Sequence, residues 1–528
     1  MNVFICGRDE PVAETKQGKL RGYYFDGVYY FLGVHYAKAK RFEMPQEPDR
    51  WDGIRDSFAF GNICPILVQP EPGDEIVVPH RFWPESEKCQ NLNIWTDTLD
   101  KSARKPVMVW FHGGGYSSGS AIEHIAYDGD TLARRDGVVM VCVNHRLNAF
   151  GHLDLSMFGE KYKNSVNAGI ADLVAALKWV KENIANFGGD PDNVTIFGQS
   201  GGGGKVTTLG QTPDADGLFQ KAIVMSGVFK GFSSASEVDP GEFAREIMRQ
   251  AGITDDDVEK LAKVSTRLFI RAVNKASRKF QLAGQRINWA PHANDWYTGD
   301  PLKVGFRDAY LRVPTIVGTT LAEFGGGKPT EPKDSIPVCE RERAVYERFG
   351  QEIGEKALSL YRKAYPGKNE LYLLDLDAMA RSASAEYVRT KAAAGMAPVY
   401  SYMFAACFDY AGGRAPWHCA DIPFFFHNTE RAPYAYSVLY REALERQMVQ
   451  SFVNFAKNAD PNNNYMPKWT PSTEKDLYTM VFDERTEQRV NYDDELIGLL
   501  QSTVKMPSFF GVTPDEDEEA DSDRRWLY

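Results

Sequence analysis

The residue of this chain best placed to do chemistry is a serine. Val194 to Gly204 reads VTIFGQSGGGG, an apolar, β-branched run that ends at Ser200, with Gly198 two residues before it and glycines directly after it. A run of this kind entering a glycine-flanked serine is the strand, tight turn and helix plan of a nucleophile elbow, which presents the hydroxyl on a strained corner at the top of a sheet. Gly198 and Gly202 serve that plan because a Cβ at either position would obstruct the neighbouring backbone. Two other readings fit the same letters, a Gly-rich loop and a phosphate cradle ending at Gly204 and Lys205. The phosphate loop needs Gly five positions before its second Gly and Ser or Thr after its Lys, and here those places hold Gln199 and Val206.

A serine hydroxyl is a poor nucleophile at neutral pH. It needs an imidazole to take its proton and a buried carboxylate to hold that ring in the right tautomer. The chain has 9 His and 72 Asp plus Glu, so residue types alone leave the base open among His112, His145, His418 and His427, and the acid open among carboxylates that include Asp295, Glu323 and Asp421. A second informative stretch is Pro106 to Gly119, PVMVWFHGGGYSSG, a continuous apolar run of strand length that meets three consecutive glycines. Alone it reads as an ordinary flexible turn. Paired with an elbow, its bare backbone N–H groups become a candidate oxyanion hole.

These groups need a scaffold. Val138 to Asn144, VVMVCVN, reads as another strand covered on both faces. Ala168 to Phe187 places Ile170, Leu173, Leu177, Val180 and Ile184 at steps of three and four, one apolar face of a helix that stops at Gly188-Gly189-Asp190-Pro191. Strand, helix, strand implies parallel pairing through a crossover. Gly22 to Tyr30 suggests antiparallel strands at the start. Ala222 to Ser226, Thr315 to Gly318 and Pro398 to Phe404 add short strands, and Ser437 to Lys457 a helix. Residues of about 230–310, above all Asp239 to Gln285, have the charged helical pattern of an inserted cap. The Pro-rich stretch between Cys64 and Cys89 reads as a surface loop, and the acidic tail 515–528 as frayed. The fold class is therefore α/β, one large domain around a mixed, mostly parallel sheet flanked by helices.

The totals agree. At 528 residues, 43% hydrophobic and 12% aromatic, the chain can bury a large core. A net charge of -11 without a basic stripe argues against nucleic acid as a partner, and no stretch suits a membrane span. The seven cysteines show no metal-ligand spacing, and the expected chemistry needs neither metal nor cofactor. MNVFICGRDEPV lacks a signal-peptide pattern, which points to the cytoplasm unless a leader was removed. The oligomeric state is not legible.

Taken together, RF at Arg41, SEKCQNLNIW at Ser86, VWFHGGGYSSGS at Val109, YDG at Tyr127, VNHRLNAFGHL at Val143 and NAGIADLVAALKWVKENIANFGGDPDNVTIFGQSGG from Asn167 resemble the type-B carboxylesterase and cholinesterase family of α/β-hydrolases over nearly the whole chain. The resemblance implies Ser200 as nucleophile and the N–H groups of Gly114, Gly115 and Gly201 as oxyanion donors. VGTTLAEFGGG puts Glu323 in the place of the acid, with Ala322 where Asp is frequent and Phe324 where Gly is usual, and WHCADIPFFF puts His418 in the place of the base. The order Ser, Glu, His is that of α/β-hydrolases. Also implied are the ion pairs Arg41 with Glu87 and Arg146 with Asp172, and a disulfide between Cys64 and Cys89 in an oxidising compartment.

The expected activity is that of a serine carboxylic-ester hydrolase acting through an acyl-enzyme on small to medium, uncharged esters. The other readings are an acyltransferase using the same intermediate and a non-catalytic binding module of the same fold. Phe82, Trp83, Trp289, Trp296 and Phe424 are the aromatic candidates for the substrate pocket, and Trp83 lies in the loop where cholinesterases place a cation-binding Trp. Most members of the family it resembles carry Glu before and Ala after the nucleophile. Gln199 and Gly201 predict a roomier corner with less attraction for cationic leaving groups.

Overall fold

The computed structural model describes residues 3–68, 79–229, 236–255, 257–325 and 331–503. The buried runs of the sequence stand side by side in a 12-stranded sheet. In spatial order its strands are Phe4–Ile5, Tyr23–Phe25, Val28–His35, Asn91–Thr96, Val139–Val143, Lys105–Phe111, Gly189–Gln199, Lys221–Met225, Thr315–Thr320, Val399–Phe404, Tyr478–Phe482 and Glu487–Val490. From Val139–Val143 to Tyr478–Phe482 every neighbouring pair is parallel, and the pairs at both edges are antiparallel. A separate 3-stranded sheet joins Val12–Glu14, Lys19–Arg21 and Ile54–Asp56.

Alternation along a strand sends successive side chains to opposite faces, and both faces here are covered. Val107, Val109 and Phe111 share one core with Ile170, Leu173, Leu177, Val180 and Ile184 of the helix Ala168–Asn183 and the turn after it. Met108 and Trp110 share the other with Phe425, Phe426 and Phe452, the last on the helix Arg441–Asn458. Each fully buried side chain of this kind contributes roughly 1.5–3 kcal/mol, so the apolar runs hold the sheet between two helical layers.

Between Lys221–Met225 and Thr315–Thr320 the described residues form the helices Pro240–Gln250, Val258–Lys263, Thr266–Leu282, Pro301–Val304 and Asp308–Leu311. Asp239 and Ser265 accept backbone N–H groups of the first turns of Pro240–Gln250 and Thr266–Leu282, the usual work of N-caps. Phe243, Ile247, Phe269 and Phe280 of this segment build a third core with Phe42, Phe150, Cys64 and Cys89.

The crossover helix stops where the sequence reading places its end: Ala168–Asn183 runs into the turn Ile184–Phe187, capped by Gly188 at φ 76. Gly189 then opens the elbow strand, whose register against Lys105–Phe111 shifts between Gly189 and Val194. The sequence reading left the stretch between Gly318 and Pro398 without elements. It contains the helices Val338–Phe349, Gln351–Ala364 and Met379–Ala393, whose buried stripes rest on Ala and Tyr such as Ala357, Tyr361 and Tyr387 and give weak periodic contrast. The tail 515–528 lies outside the described residues, as do 69–78 of the loop between Cys64 and Cys89 and 230–235 at the start of the expected insertion.

Arg146 and Asp172 lock the loop after Val139–Val143 to the crossover helix. Their side chains are 2% and 0% exposed. Asp172 accepts from Nε at 2.8 Å and from Nη2 at 2.7 Å, and the remaining guanidinium donors reach the carbonyls of Lys40, Glu43 and Ala168. Asp172→Ala strands a buried guanidinium and should lower stability by about 3–5 kcal/mol, read from the urea midpoint. Glu347→Ala, which breaks the pair with Arg343 between side chains 73% and 66% exposed, should cost less than about 1 kcal/mol.

Candidate active site

Ser200 stands at the C-terminal end of the strand Gly189–Gln199 and opens the helix Gly201–Gly210. Its backbone, φ 57 and ψ -125, is a conformation that costs a non-Gly residue about 1–3 kcal/mol and persists only where its surroundings hold it. Its N–H donates to Met225 O at 2.8 Å and its carbonyl accepts from Gly204 N at 3.0 Å. The turn also packs backbone on backbone against the end of Lys105–Phe111. A Cβ on Gly202 would lie 1.9 Å from Phe111 O, and one on Gly198 would lie 2.4 Å from the Gly202 carbonyl carbon.

Glu323 and His418 follow the strands Thr315–Thr320 and Val399–Phe404, the second and third beyond the elbow strand in the sheet. Glu323 is fully buried at its side chain. Its Oε1 accepts Thr320 N–H at 2.7 Å, and its Oε2 lies 2.6 Å from His418 Nδ1. The His418 N–H donates to Glu323 O at 2.8 Å, fixing the two loops to each other at the backbone as well. The rings of Phe324 and Phe229 flank the imidazole at 4.8 and 6.1 Å. Phe324, which replaces the usual Gly, therefore becomes a wall of the site.

The rival groups are occupied elsewhere. His112 and His145 are buried and stacked at 5.1 Å, with their Nδ1 atoms on the carbonyls of Gly113 and Arg146. Burial pulls both well below the usual histidine range. His427 Nδ1 pairs with Asp136 at 2.8 Å. Asp421 accepts from Tyr402 at 2.8 Å, and Asp295 is exposed. Asp421 and Asp377 nevertheless bear on the site. Burial pushes the first up to about 7 and the second up to about 6, with Glu323 adding to both. Protonation of either near neutrality limits the negative charge beside Glu323.

Gly114 and Gly115 have φ of 77 and 62, open to glycine and rarely to other residues. Gly201 begins the elbow helix, where N–H groups are unpaired within the helix. The roomier corner expected from Gly201 is not found. A Cβ there would meet Gly115 O, Cα and N at 2.3, 2.4 and 2.5 Å, so the glycine loop occupies the space a methyl would take.

Of the aromatic pocket candidates, Phe424 is completely buried against Phe404 at 5.1 Å and belongs to the core. Phe82 is 60% exposed. Trp83 donates to Phe60 O and packs edge-on against its ring. Trp289 packs on Phe243, and Trp296 donates to Asp214. The concave surface next to the elbow is lined instead by Gly204, Thr207, Gly227, Phe229, Tyr297 and Leu302. Small and aromatic residues scattered over three segments leave no local signal from which a sequence could announce them. Cys64 and Cys89 are both buried free thiols, and they share a hydrogen bond.

Sequence reasoning also missed Lys205. It is fully buried on the elbow helix and donates to His112 O at 2.8 Å, tying that helix to the strand end that leads into the glycine triplet. Burial lowers it to about 7, against a small opposing pull from Glu123, whereas an unfolded lysine titrates near about 10.4. Between those values the unfolded chain binds more protons, so this group's contribution to stability rises with pH and its penalty is complete below about 7. The stability of Lys205→Met relative to the unsubstituted protein should therefore improve as pH falls from roughly 10 to roughly 7 and then level off, measured as thermal midpoints of both proteins across that range.

The chain is similar to known esterases over nearly its whole length. The model of the Carboxylesterase family matches residues 9–497. The para-nitrobenzyl esterase of Bacillus subtilis (strain 168) is 32% identical over 488 residues, covering 89% of this chain and 94% of that protein. Carboxylesterase 4A of Bos taurus is 29% identical over 539 residues, covering 92% and 94%. Among solved structures, an esterase from anaerobic Clostridium hathewayi that can hydrolyze aliphatic aromatic polyesters superposes with a TM-score of 0.92 at 44% identity, over 96% of this chain and 100% of that one. A para-nitrobenzyl esterase structure follows at 0.72 and 29%, over 94% and 99%. No helix among the described residues is long and apolar enough to cross a membrane. With its mostly parallel sheet between helical layers and these relatives, the chain has the α/β-hydrolase fold and belongs to the Carboxylesterase family, as a carboxylic-ester hydrolase.

Proposed function

We propose that Ser200, Glu323 and His418 are the catalytic triad of this esterase, and that its substrates are small to medium uncharged esters. The observation that carries the reading is the 2.6 Å contact of Glu323 Oε2 with His418 Nδ1, made beside a serine held in a strained turn. With Nδ1 protonated toward the carboxylate, Nε2 carries the lone pair that takes the Ser200 proton as its hydroxyl attacks the ester carbonyl. The tetrahedral oxyanion accepts from the N–H groups of Gly114, Gly115 and Gly201, each such donor being worth about 3–4 kcal/mol in the transition state. The imidazolium then protonates the leaving alcohol, and the same ring activates water to release the acid.

Uncharged substrates are proposed because Gln199 replaces a carboxylate next to the nucleophile, and because the nearby concave surface presents Phe229, Tyr297 and Leu302. The polyester-hydrolysing relative supports extending the range to esters of aromatic acids. The proposed compartment is the cytoplasm, whose reducing poise suits the free Cys64 and Cys89 thiols.

Ser200→Ala and His418→Ala should each reduce kcat for a short-chain p-nitrophenyl ester by roughly 10⁴- to 10⁶-fold. Near-normal turnover by Ser200→Ala would refute the assignment. Across paired esters of one acyl chain, neutral alcohols should be preferred, and a marked preference for choline would refute the substrate class.

A further inference from the structure

The hydrogen bond to the outer nitrogen of His418 comes from an unexpected neighbour. Gln199, the last residue of the elbow strand and 1% exposed, brings its Nε2 to 3.2 Å from His418 Nε2. Its Oε1 accepts the Cys419 thiol at 3.1 Å. The carboxylate on the other side of the ring decides the direction. Glu323 Oε2, 2.6 Å from Nδ1, can only accept, so the proton of the neutral ring is on Nδ1 and Nε2 carries a lone pair. The amide group that faces Nε2 is then the donor NH₂, and the amide oxygen is left to accept the Cys419 thiol. Cys419 is itself held at φ 77, unusual for a non-Gly residue, in the tight connection that brings its thiol under the elbow.

We propose that Gln199 is a positioning residue for His418: its amide holds the imidazole neutral and in the base-competent tautomer, opposing protonation of Nε2 until substrate binds and the Ser200 hydroxyl takes over that lone pair. This rests on the triad reading above. A protonated Nε2–H would face the amide NH₂, donor against donor, and would displace it. Glu in that position would do the reverse, because a carboxylate accepts from the imidazolium and favours the protonated ring. The other charged or titratable groups near His418 are Glu323 on Nδ1, the buried Asp377 and Asp421, and Cys419, which Glu123 also faces. All four side chains are unchanged by a substitution at Gln199, so a difference between variants at that position reports the amide. Burial pushes the Cys419 thiol well above its usual range and keeps it a donor across the working pH.

The test is the pH profile of kcat/KM for p-nitrophenyl acetate in the unsubstituted protein, Gln199→Glu, Gln199→Met and Cys419→Ala, with active sites counted by a fluorophosphonate so that misfolded protein does not contribute. The acid limb should move to higher pH by at least one unit in Gln199→Glu, by a smaller amount in Gln199→Met, and in the same direction in Cys419→Ala, which releases the amide without touching the imidazole. Acid limbs that coincide in all four proteins, or a limb that moves down in Gln199→Glu, would overturn the proposal. If the fluorophosphonate fails to modify Ser200 in the unsubstituted protein, it is the triad reading that fails, so the two failures are distinguishable.

Discussion

The site depends on a close approach of bare backbone. The elbow and the glycine strand end meet where a single Cβ on Gly202 would sit 1.9 Å from Phe111 O, and one on Gly201 would sit 2.3 Å from Gly115 O. That contact sets where Ser200 stands relative to Gly114 and Gly115, and Lys205 reinforces it from below by holding the carbonyl of His112. Preorganised donors stabilise a developing charge without reorganising during the reaction. Packing this tight is what makes preorganisation available to a loop of glycines. The buried Lys205 amine beneath it costs desolvation whenever it is charged.

The remaining elements bring Glu323 and His418, the proposed acid and base, to that fixed corner. Parallel strands deliver their C-terminal ends to one edge of the sheet, where the ligand crevice of open α/β sheets lies. Ser200, Glu323 and the loop bearing His418 each follow such a strand. Two hydrogen bonds then tie the last two loops together, one between side chains and one between backbones. His418 therefore has little freedom except at Nε2, the atom that exchanges partners in the proposed mechanism. The Gln199 amide supplies a partner there at rest.

Much of this was legible in the sequence, for physical reasons. Buried parallel strands read as unbroken apolar runs, the elbow demands glycines at fixed offsets from Ser200, and the crossover helix shows its face at steps of three and four. The resemblance carried Glu323 and His418, which residue types alone left among several candidates. What stayed hidden was contact between distant segments. Gln199 and His418 are 219 positions apart, and no local pattern marks an amide that will face an imidazole. Lys205 carries a side chain that is almost never fully buried, so a sequence gives no reason to place it inside. Phe424 erred the other way: among consecutive phenylalanines, sequence could not tell the ring that packs on Phe404 from one that lines a cleft. Gly201 misled because a missing methyl suggests space, whereas the Gly115 backbone fills it.

The claim that matters most is that the acyl group passes through Ser200. It is tested most directly by acid-quenching the enzyme during turnover of a slowly deacylating p-nitrophenyl ester and locating the acyl group by peptide mass spectrometry. One acyl mass on the peptide containing Ser200, absent when Ser200 is replaced by Ala, is the predicted result. An acyl group on any other residue, or its persistence in the Ser200→Ala protein, would contradict it.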